Sequence, residues 1–248
     1  MKIGIIGVGN IGKTLALKLA AAGHSVSVAN SKSPEDISQD VLATGARAVT
    51  VEQAIEEKDV IIMSIPLNKI PEVAPLFTNV PEETVVIDTS NYYPARDTEI
   101  ADIEAGMVES LWVVKQLGRT ISKAWNAIGS HSLLVNGKNE GSKERIAIPF
   151  ASDREIDREV VTTLINDTGF DAFDTGSLAD SWRQQPGAPA YCTDLTENEL
   201  QEVLDTAEKE RLPKRRDIAV AAIMERVGDG KTNPDAEYGV RLSRALYM

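Results

Sequence analysis

Three glycines near the start of the chain have the spacing of a phosphate-binding turn. An apolar segment, residues 1–6, runs into Gly7-x-Gly9-x-x-Gly12, and a helical period of apolar residues follows it. Gly7 permits a tight turn, Gly9 leaves room for a pyrophosphate beside the backbone, and Gly12 lets the helix pack closely on the sheet. The helix N-terminus directs N–H groups and the positive end of its dipole at the phosphates. We predict a dinucleotide site rather than a purely structural strand–turn–helix.

The end of the second predicted strand, residues 25–29, indicates which dinucleotide binds. In NAD-binding proteins an acidic residue at this place accepts hydrogen bonds from the ribose, and it would repel a 2′-phosphate. Here the next residues are Asn30, Ser31, Lys32 and Ser33, and no carboxylate occurs before Glu35. Hydroxyls, an amide and an ammonium can hold a phosphate, beside a helix that we expect to begin at Ser33. The pattern predicts NADP rather than NAD.

Few other residues are typical of catalysis or metal binding. The chain has one cysteine, Cys192, and two histidines, His24 and His131, and the sequence does not place either histidine beside the cysteine. These residues form no set of metal ligands, and a single cysteine allows no intrachain disulfide. We predict no catalytic acid–base pair and no metal site, with Cys192 as a packed thiol.

Charge and hydropathy limit the kinds of molecule that the protein is expected to bind. The formal net charge is −12, so most of the surface repels nucleic acid and anionic membranes. No apolar run has the length of a membrane span, and residues 3–8 are too few for a signal-peptide core. We expect a cytoplasmic protein with a small-molecule substrate, no nucleic-acid partner and no membrane partner.

Strands and helices alternate over residues 1–176, which predicts an α/β Rossmann domain with a doubly wound, mainly parallel sheet. A small C-terminal helical appendage is expected in 177–248, with helices near 196–211, 214–227 and 235–247. The predicted strands after the second lie near 47–49, 60–64, 84–87, 121–125, 145–148 and 170–173, and the predicted helices near 51–57 and 153–167.

The segment 177–195 has no clear period and contains two prolines and a glycine. It is either a plain linker or a packed loop over the open edge of the cofactor site. A linker seldom carries Trp182, Arg183 and Tyr191 together, so the packed loop is favoured.

Four segments carry a family resemblance. They are residues 7–12 (Gly-Val-Gly-Asn-Ile-Gly), 29–35 (Ala-Asn-Ser-Lys-Ser-Pro-Glu), 64–66 (Ser-Ile-Pro) and 123–126 (Lys-Ala-Trp-Asn). The chain resembles the F420-dependent NADP oxidoreductase family, in its group of bacterial dinucleotide-binding relatives. The resemblance extends to about residue 175, and beyond it the chain is similar to the bacterial branch only.

The resemblance implies hydride transfer between NADP(H) and the deazaflavin coenzyme F420, with the protein contributing position more than acid–base chemistry. It implies a pyrophosphate cradle of Gly7, Val8, Gly9, Asn10, Ile11 and Gly12. It places the 2′-phosphate at Asn30, Ser31, Lys32 and Ser33. It places the adenosine and the nicotinamide ribose beside Ser64, Ile65 and Pro66, and the nicotinamide and second substrate near Asn91, Asn126 and Ala127.

The chain departs from the family in two respects. Trp125 stands where the family more often has Phe, and the acidic surface suits the anionic tail of F420 poorly. Candidates to bind that tail are Lys115, Arg119 and Lys123. A flavin, a quinone or an imine is therefore an alternative acceptor.

Two further alternatives stay open from the sequence. One is an imine reductase similar to the pyrroline-5-carboxylate reductases, although the C-terminal helices here are short and charged. The other is a non-catalytic NADP(H)-binding sensor. A homodimer through the apolar faces of 196–227 is a possible assembly.

Overall fold

One sheet of eight strands organises the protein, whose computed structural model describes residues 1–228 and 232–248. The strand order is β3-β2-β1-β4-β5-β6-β7-β8, and every neighbouring pair is parallel except β6 with β7. The strands are β1 Lys2–Ile6, β2 Ser25–Ala29, β3 Arg47–Ala48, β4 Val60–Met63, β5 Val85–Asp88, β6 Ser122–Lys123, β7 Ala147–Ser152 and β8 Asp171–Asp174. The predicted doubly wound, mainly parallel sheet is confirmed.

Helices connect these strands and form the C-terminal region. They are α1 Asn10–Ala21, α2 Val51–Ile55, α3 Ile70–Val73, α4 Pro94–Asp97, α5 Ala101–Glu104, α6 Glu109–Leu117, α7 Ser130–Val135, α8 Glu155–Asp167, α9 Glu197–Val203, α10 Leu212–Val227 and α11 Ala236–Tyr247. In the described part of the chain, none of them is both long and apolar enough to cross a membrane.

The alternation of side chains along the strands builds a core on each face of the sheet. In β4, Val60 and Ile62 belong to one apolar cluster, while Ile61 and Met63 belong to the other. Successive residues of a strand point to opposite faces, so β4 is buried on both sides, as a continuous apolar run in a parallel sheet predicts. Because both faces of the sheet are covered by apolar clusters, the carboxyl ends of the strands are where a site can form.

One predicted helix is absent and another is shorter than expected. The segment after β2 forms only a 3₁₀ turn at Pro34–Asp36, where a helix beginning at Ser33 was expected. Extended backbone at Ile37 ends that turn, and the side chain of Ile37 is buried in the core instead. The expected helix 196–211 is also wrong, because α9 ends at Val203 and two 3₁₀ turns follow it.

The segment 177–195 is packed and is not a linker. It begins with a 3₁₀ helix, Leu178–Gln184, and Leu178, Gln184 and Ala188 are fully buried. Trp182 and Arg183 lie against each other, with the guanidinium 4.5 Å from the ring centroid. Packing of the segment is therefore confirmed, and its position over a cofactor site stays a prediction.

Candidate functional site: a cleft at the carboxyl edge of the sheet

The glycine loop between β1 and α1 has the shape that close approach of a phosphate requires. Gly7 has a φ of +101°, and a Cβ on it would collide with the carbonyl oxygen of Ser64. A Cβ on Gly12 would collide with the carbonyl oxygen of Gly7. A Cβ on Gly9, by contrast, would meet no atom within 4 Å. Packing thus explains two of the glycines, while Gly9 borders open space that a pyrophosphate fits.

The first turn of α1 offers its backbone donors to this space. The helix is 12 residues long, its N-cap is Gly9 without a capping side chain, and its first turn holds no acidic residue. The uncapped N–H groups and the positive end of the dipole therefore face the loop. These are the features of an anion-binding helix N-terminus.

Residues 30–33 follow β2, immediately beside the glycine loop. The N–H of Gly7 donates to the carbonyl of Ala29 at 2.8 Å, which joins the two strand ends. The amide oxygen of Asn30 accepts from the N–H of Lys32 at 2.9 Å, and Lys32 itself is exposed. Within residues 1–228 and 232–248, Lys32 forms no ion pair. The ammonium is available to a 2′-phosphate, although the expected helix N-terminus beside it is absent.

A cleft with a volume of about 570 Å³ runs from the glycine loop along the strand ends. Eight of the predicted residues line it: Gly9, Asn10, Ile11, Ser64, Ile65, Pro66, Asn91 and Asn126. Gly7, Val8, Gly12, residues 30–33 and Ala127 do not line it. The carboxyl ends of β1, β4, β5 and β6 thus bring half of the predicted set together, as the topology of an open α/β sheet requires.

Three amide side chains form a network at the cleft, in which Asn91 and Asn126 line the cleft and Gln184 is fully buried. Asn91 Nδ2 donates to the carbonyl of Asn126 at 2.8 Å, and Asn126 Nδ2 donates to Asn91 Oδ1 at 3.1 Å. Gln184 Nε2 donates to Asn126 Oδ1 at 2.8 Å. The network fixes both asparagines, and Gln184 shows how the segment after β8 supports the site.

Two tyrosines that sequence reasoning missed meet across the cleft. The hydroxyls of Tyr93 and Tyr191 are 2.7 Å apart, and Asn91 Nδ2 donates to the Tyr191 hydroxyl at 3.3 Å. Burial raises the pKa of both tyrosines, so both hydroxyls keep their protons at neutral pH. The two hydroxyls carry two protons, and the hydrogen bond between them uses one.

Buried charged residues hold the segment that carries Asn91 and Tyr93. Lys123 Nζ is 2.7 Å from Asp88 Oδ2 and donates to the carbonyl of Ser90 at 2.5 Å, and both charged side chains are fully buried. Asp88 also accepts from the N–H and the hydroxyl of Ser90, each at 3.0 Å. Residues 88–90 are therefore fixed by a buried ion pair.

The candidates proposed for an anionic tail are wrong as cleft residues. Lys123 forms an ion pair with Asp88, and Lys115 forms one with Asp102. Arg119 donates to three backbone carbonyls near Val80. None of the three lines the cleft. The sequence shows that these three residues are basic, but it does not show that each has a partner within the fold.

Glu109 predicts a pH dependence of stability. It is buried, accepts from the N–H of Tyr92 at 3.1 Å, and faces Lys123, Asp88 and Gln185. Desolvation raises the pKa of this carboxyl from 4.5 to about 7. The folded protein therefore binds the extra proton between these values, and stability falls as the pH rises through that window, by about 3 kcal/mol.

Chemical denaturation at pH 5 and pH 8 measures this effect. Glu109→Gln should flatten the dependence across that range, because the amide cannot ionise. Equal slopes for the two proteins would show that Glu109 does not hold the proton.

The opposite wall of the cleft is made by α10 and α11, with Trp125 and Cys192. Trp125 is fully buried and its indole donates to Thr168 Oγ1 at 3.4 Å. Burial raises the pKa of the Cys192 thiol to about 12, so it is a poor nucleophile, in agreement with a packed thiol. Ala219, Val220 and Ile223 of α10 add an apolar surface.

Sequence relatives match the N-terminal part of the chain. Residues 2–92 match the family model described as NADP oxidoreductase, coenzyme F420-dependent. The protein YjhV of Escherichia coli is 53% identical over 55 residues, which is 22% of this chain. The match spans 40% of YjhV's own length.

Solved structures extend the likeness to the fold of most of the chain. The protein SMa0349 of Sinorhizobium meliloti is 28% identical, with a TM-score of 0.67, over 79% of this chain and 96% of its own. A candidate F420-dependent NADP reductase from Arthrobacter sp. FB24 is 14% identical, with a TM-score of 0.56, over 73% and 87%. The pyrroline carboxylate reductase of Plasmodium falciparum, solved with NADP bound, is 11% identical, with a TM-score of 0.52, over 98% and 74%.

The last two structures share the fold at low sequence identity. The match of the family model ends at residue 92, so the similarity expected up to about residue 175 stays a prediction at the level of family. Over residues 2–92, the resemblance of this chain to the coenzyme F420-dependent NADP oxidoreductase family is confirmed.

Proposed function

We propose that the protein is an NADP(H)-dependent oxidoreductase that transfers hydride between the nicotinamide and a small acceptor. The observation that carries the proposal is that the glycine loop and the two tyrosines line the same cleft. The open space at Gly9 and the uncapped α1 accommodate a pyrophosphate, and Lys32 suits a 2′-phosphate. NADP in the Plasmodium structure of similar fold agrees with this choice.

Each group of residues has a part in this proposal. The glycine loop and α1 bind the pyrophosphate, and Asn30, Ser31, Lys32 and Ser33 bind the 2′-phosphate. Ser64, Ile65 and Pro66 border the riboses. When bound, NADPH supplies the hydride, and the amide network of Asn91 and Asn126 orients the ring beside the acceptor.

The acceptor that fits the family description is coenzyme F420 or another flavin-like ring. A small carbonyl or imine is a second candidate, and the tyrosine pair favours it. Reduction of a C=O or C=N bond adds hydride to carbon and a proton to oxygen or nitrogen. Tyr93 and Tyr191 place a protonated hydroxyl at the cleft for that hydrogen bond.

Consumption of NADPH with F420, a flavin, a quinone and cyclic imines tests the proposal. Turnover with any of them is expected, and Tyr191→Phe should lower kcat about three- to tenfold, the value of one hydrogen bond. Binding of NADPH without turnover of any acceptor would favour the sensor alternative. Absence of NADPH binding would contradict both.

A further inference from the structure

We infer that one end of the cleft binds an anionic group of the acceptor, an inference that rests on the proposed function. This end, called here the tyrosine end, is formed by residues 93–96, 191–192, α10 and α11. The juxtaposition that carries the inference is two arginines, Arg96 and Arg216, that line one cleft, the first against the ring of Tyr93 and the second against the buried ring of Tyr92.

Arg96 lies flat against Tyr93 and is held from behind. Its guanidinium is 5.3 Å from the centre of the Tyr93 ring. Asp97 accepts from Arg96 Nε at 2.9 Å and from Nη2 at 2.7 Å, and Nη2 also donates to the carbonyl of Asn91 at 2.6 Å. Asp97 is fully buried and does not line the cleft, whereas the Arg96 side chain is 48% exposed and does.

Arg216 repeats this arrangement from α10. Its guanidinium is 5.4 Å from the centre of the Tyr92 ring, and its Nε donates to Asp217 Oδ1 at 2.8 Å. The Arg216 side chain is 8% exposed and lines the cleft, while Asp217 is 63% exposed and lies outside it. Among the described residues, Arg216 donates no other hydrogen bond that would occupy its two terminal nitrogens.

In both ion pairs the arginine lines the cleft and the aspartate does not. Among the described residues that line the cleft, the one carboxylate is that of Asp235. It already accepts from the N–H of Tyr238 at 2.8 Å as the N-cap of α11. Arg96 Nη1 and the terminal nitrogens of Arg216 have no acceptor among the described residues, and a guanidinium that is fixed in advance binds a carboxylate or a phosphate with little loss of side-chain freedom. On a chain of net charge −12, two cations at one end of one cleft mark that end for an anion.

The surface beside the arginines indicates the chemical character of the rest of the acceptor. Val220, Ile223 and Met224 of α10 and Val240 of α11 present apolar groups to the same space. The acceptor class is therefore an apolar or aromatic body with one anionic group, its reducible bond lying near the tyrosine hydroxyls. Carboxylate and phosphate share the required chemistry.

Calorimetric titration of the NADP⁺-saturated protein with benzoate, phenyl phosphate and neutral benzamide tests this inference. At least one of the two anions should bind about tenfold or more tightly than benzamide, and the tighter of them identifies the anionic group. Arg216→Gln should remove most of that preference. It removes the contact with the Tyr92 ring and leaves the exposed Asp217 without its partner, but it leaves no buried charge unpaired, so the fold is expected to persist.

Arg241→Gln is the matched control, because Arg241 is an exposed arginine of α11 that pairs with Glu237 and does not line the cleft. It should leave the preference intact. Benzamide binding as tightly as both anions would overturn the inference while leaving NADP⁺ binding, and so the proposed function, untouched. If NADP⁺ itself does not bind, the proposed function fails, and the same three titrations on the free protein decide whether the anion preference exists.

Discussion

Gly9→Val should abolish tight NADPH binding while leaving the protein folded. In the proposed complex the pyrophosphate occupies the open space at Gly9, and an isopropyl group there would keep it from the N–H groups of the first turn of α1. Loss of two charge-assisted hydrogen bonds weakens binding about a hundredfold or more. Stability should fall by only about 1 kcal/mol, the cost of a poor N-cap residue.

Gly12→Ala is the contrasting variant for this prediction. Its methyl group would collide with the carbonyl oxygen of Gly7, so the loss should appear in stability, by about 1–3 kcal/mol. Isothermal titration with NADPH and urea denaturation separate the two effects. If Gly9→Val binds NADPH as well as the native chain does, the pyrophosphate does not lie at this loop.

Lys123→Met should cost about 3–5 kcal/mol of unfolding free energy, since it leaves the buried carboxylate of Asp88 without its cation. The carbonyl of Ser90 loses its donor at the same time. Residues 88–93 should then loosen, and NADPH affinity should fall because Asn91 and Tyr93 lose their fixed positions. Adding Asp88→Asn to this variant should restore part of the stability, because the uncompensated charge is removed.

Lys115→Met is the matched control, because Lys115 also pairs with an aspartate, Asp102, but both side chains are largely exposed. Such a pair contributes roughly 0–1 kcal/mol. Equal losses of unfolding free energy in the two variants would show that burial does not set the value of the Asp88–Lys123 pair.

Local sequence patterns predicted the parts of the site that are continuous in the chain. The glycine loop, the residues after β2 and the residues after β4 each lie within one turn of a strand end. Their place at the carboxyl edge therefore follows from alternation of strands and helices alone. The topology also brought Asn91 and Asn126 together, because both follow neighbouring parallel strands.

The rest of the cleft depends on contacts that no local pattern encodes. Tyr93 and Tyr191 are 98 residues apart, and their contact depends on how the buried segment 177–195 crosses the sheet edge. The sequence made Lys123 a candidate to bind an anionic tail, because its partner Asp88 is 35 residues away and no local pattern pairs the two. Pairing of charges in the core is decided by tertiary packing, not by the period of either segment.

The helix expected at Ser33 shows the limit of capping signals. Ser33, Pro34 and Asp36 have the residue types of a helix start, and the N–H of Ser33 does donate to Asp36 at 3.3 Å. No amphipathic stripe follows them, however, and burial of Ile37 turns the chain toward the core. A capping motif stabilises a helix only where the next turns have a face to bury.

Calorimetry of NADPH and NADH binding, on the native chain and on Lys32→Ala, tests the central claim most directly. NADPH should bind more tightly than NADH, and Lys32→Ala should weaken NADPH binding by about 1.5–3 kcal/mol, roughly ten- to a hundredfold, with little effect on NADH binding. Lys209→Ala, at another exposed lysine, should change neither affinity. Equal binding of the two dinucleotides, or an unchanged NADPH affinity in Lys32→Ala, would contradict the assignment of the 2′-phosphate to residues 30–33.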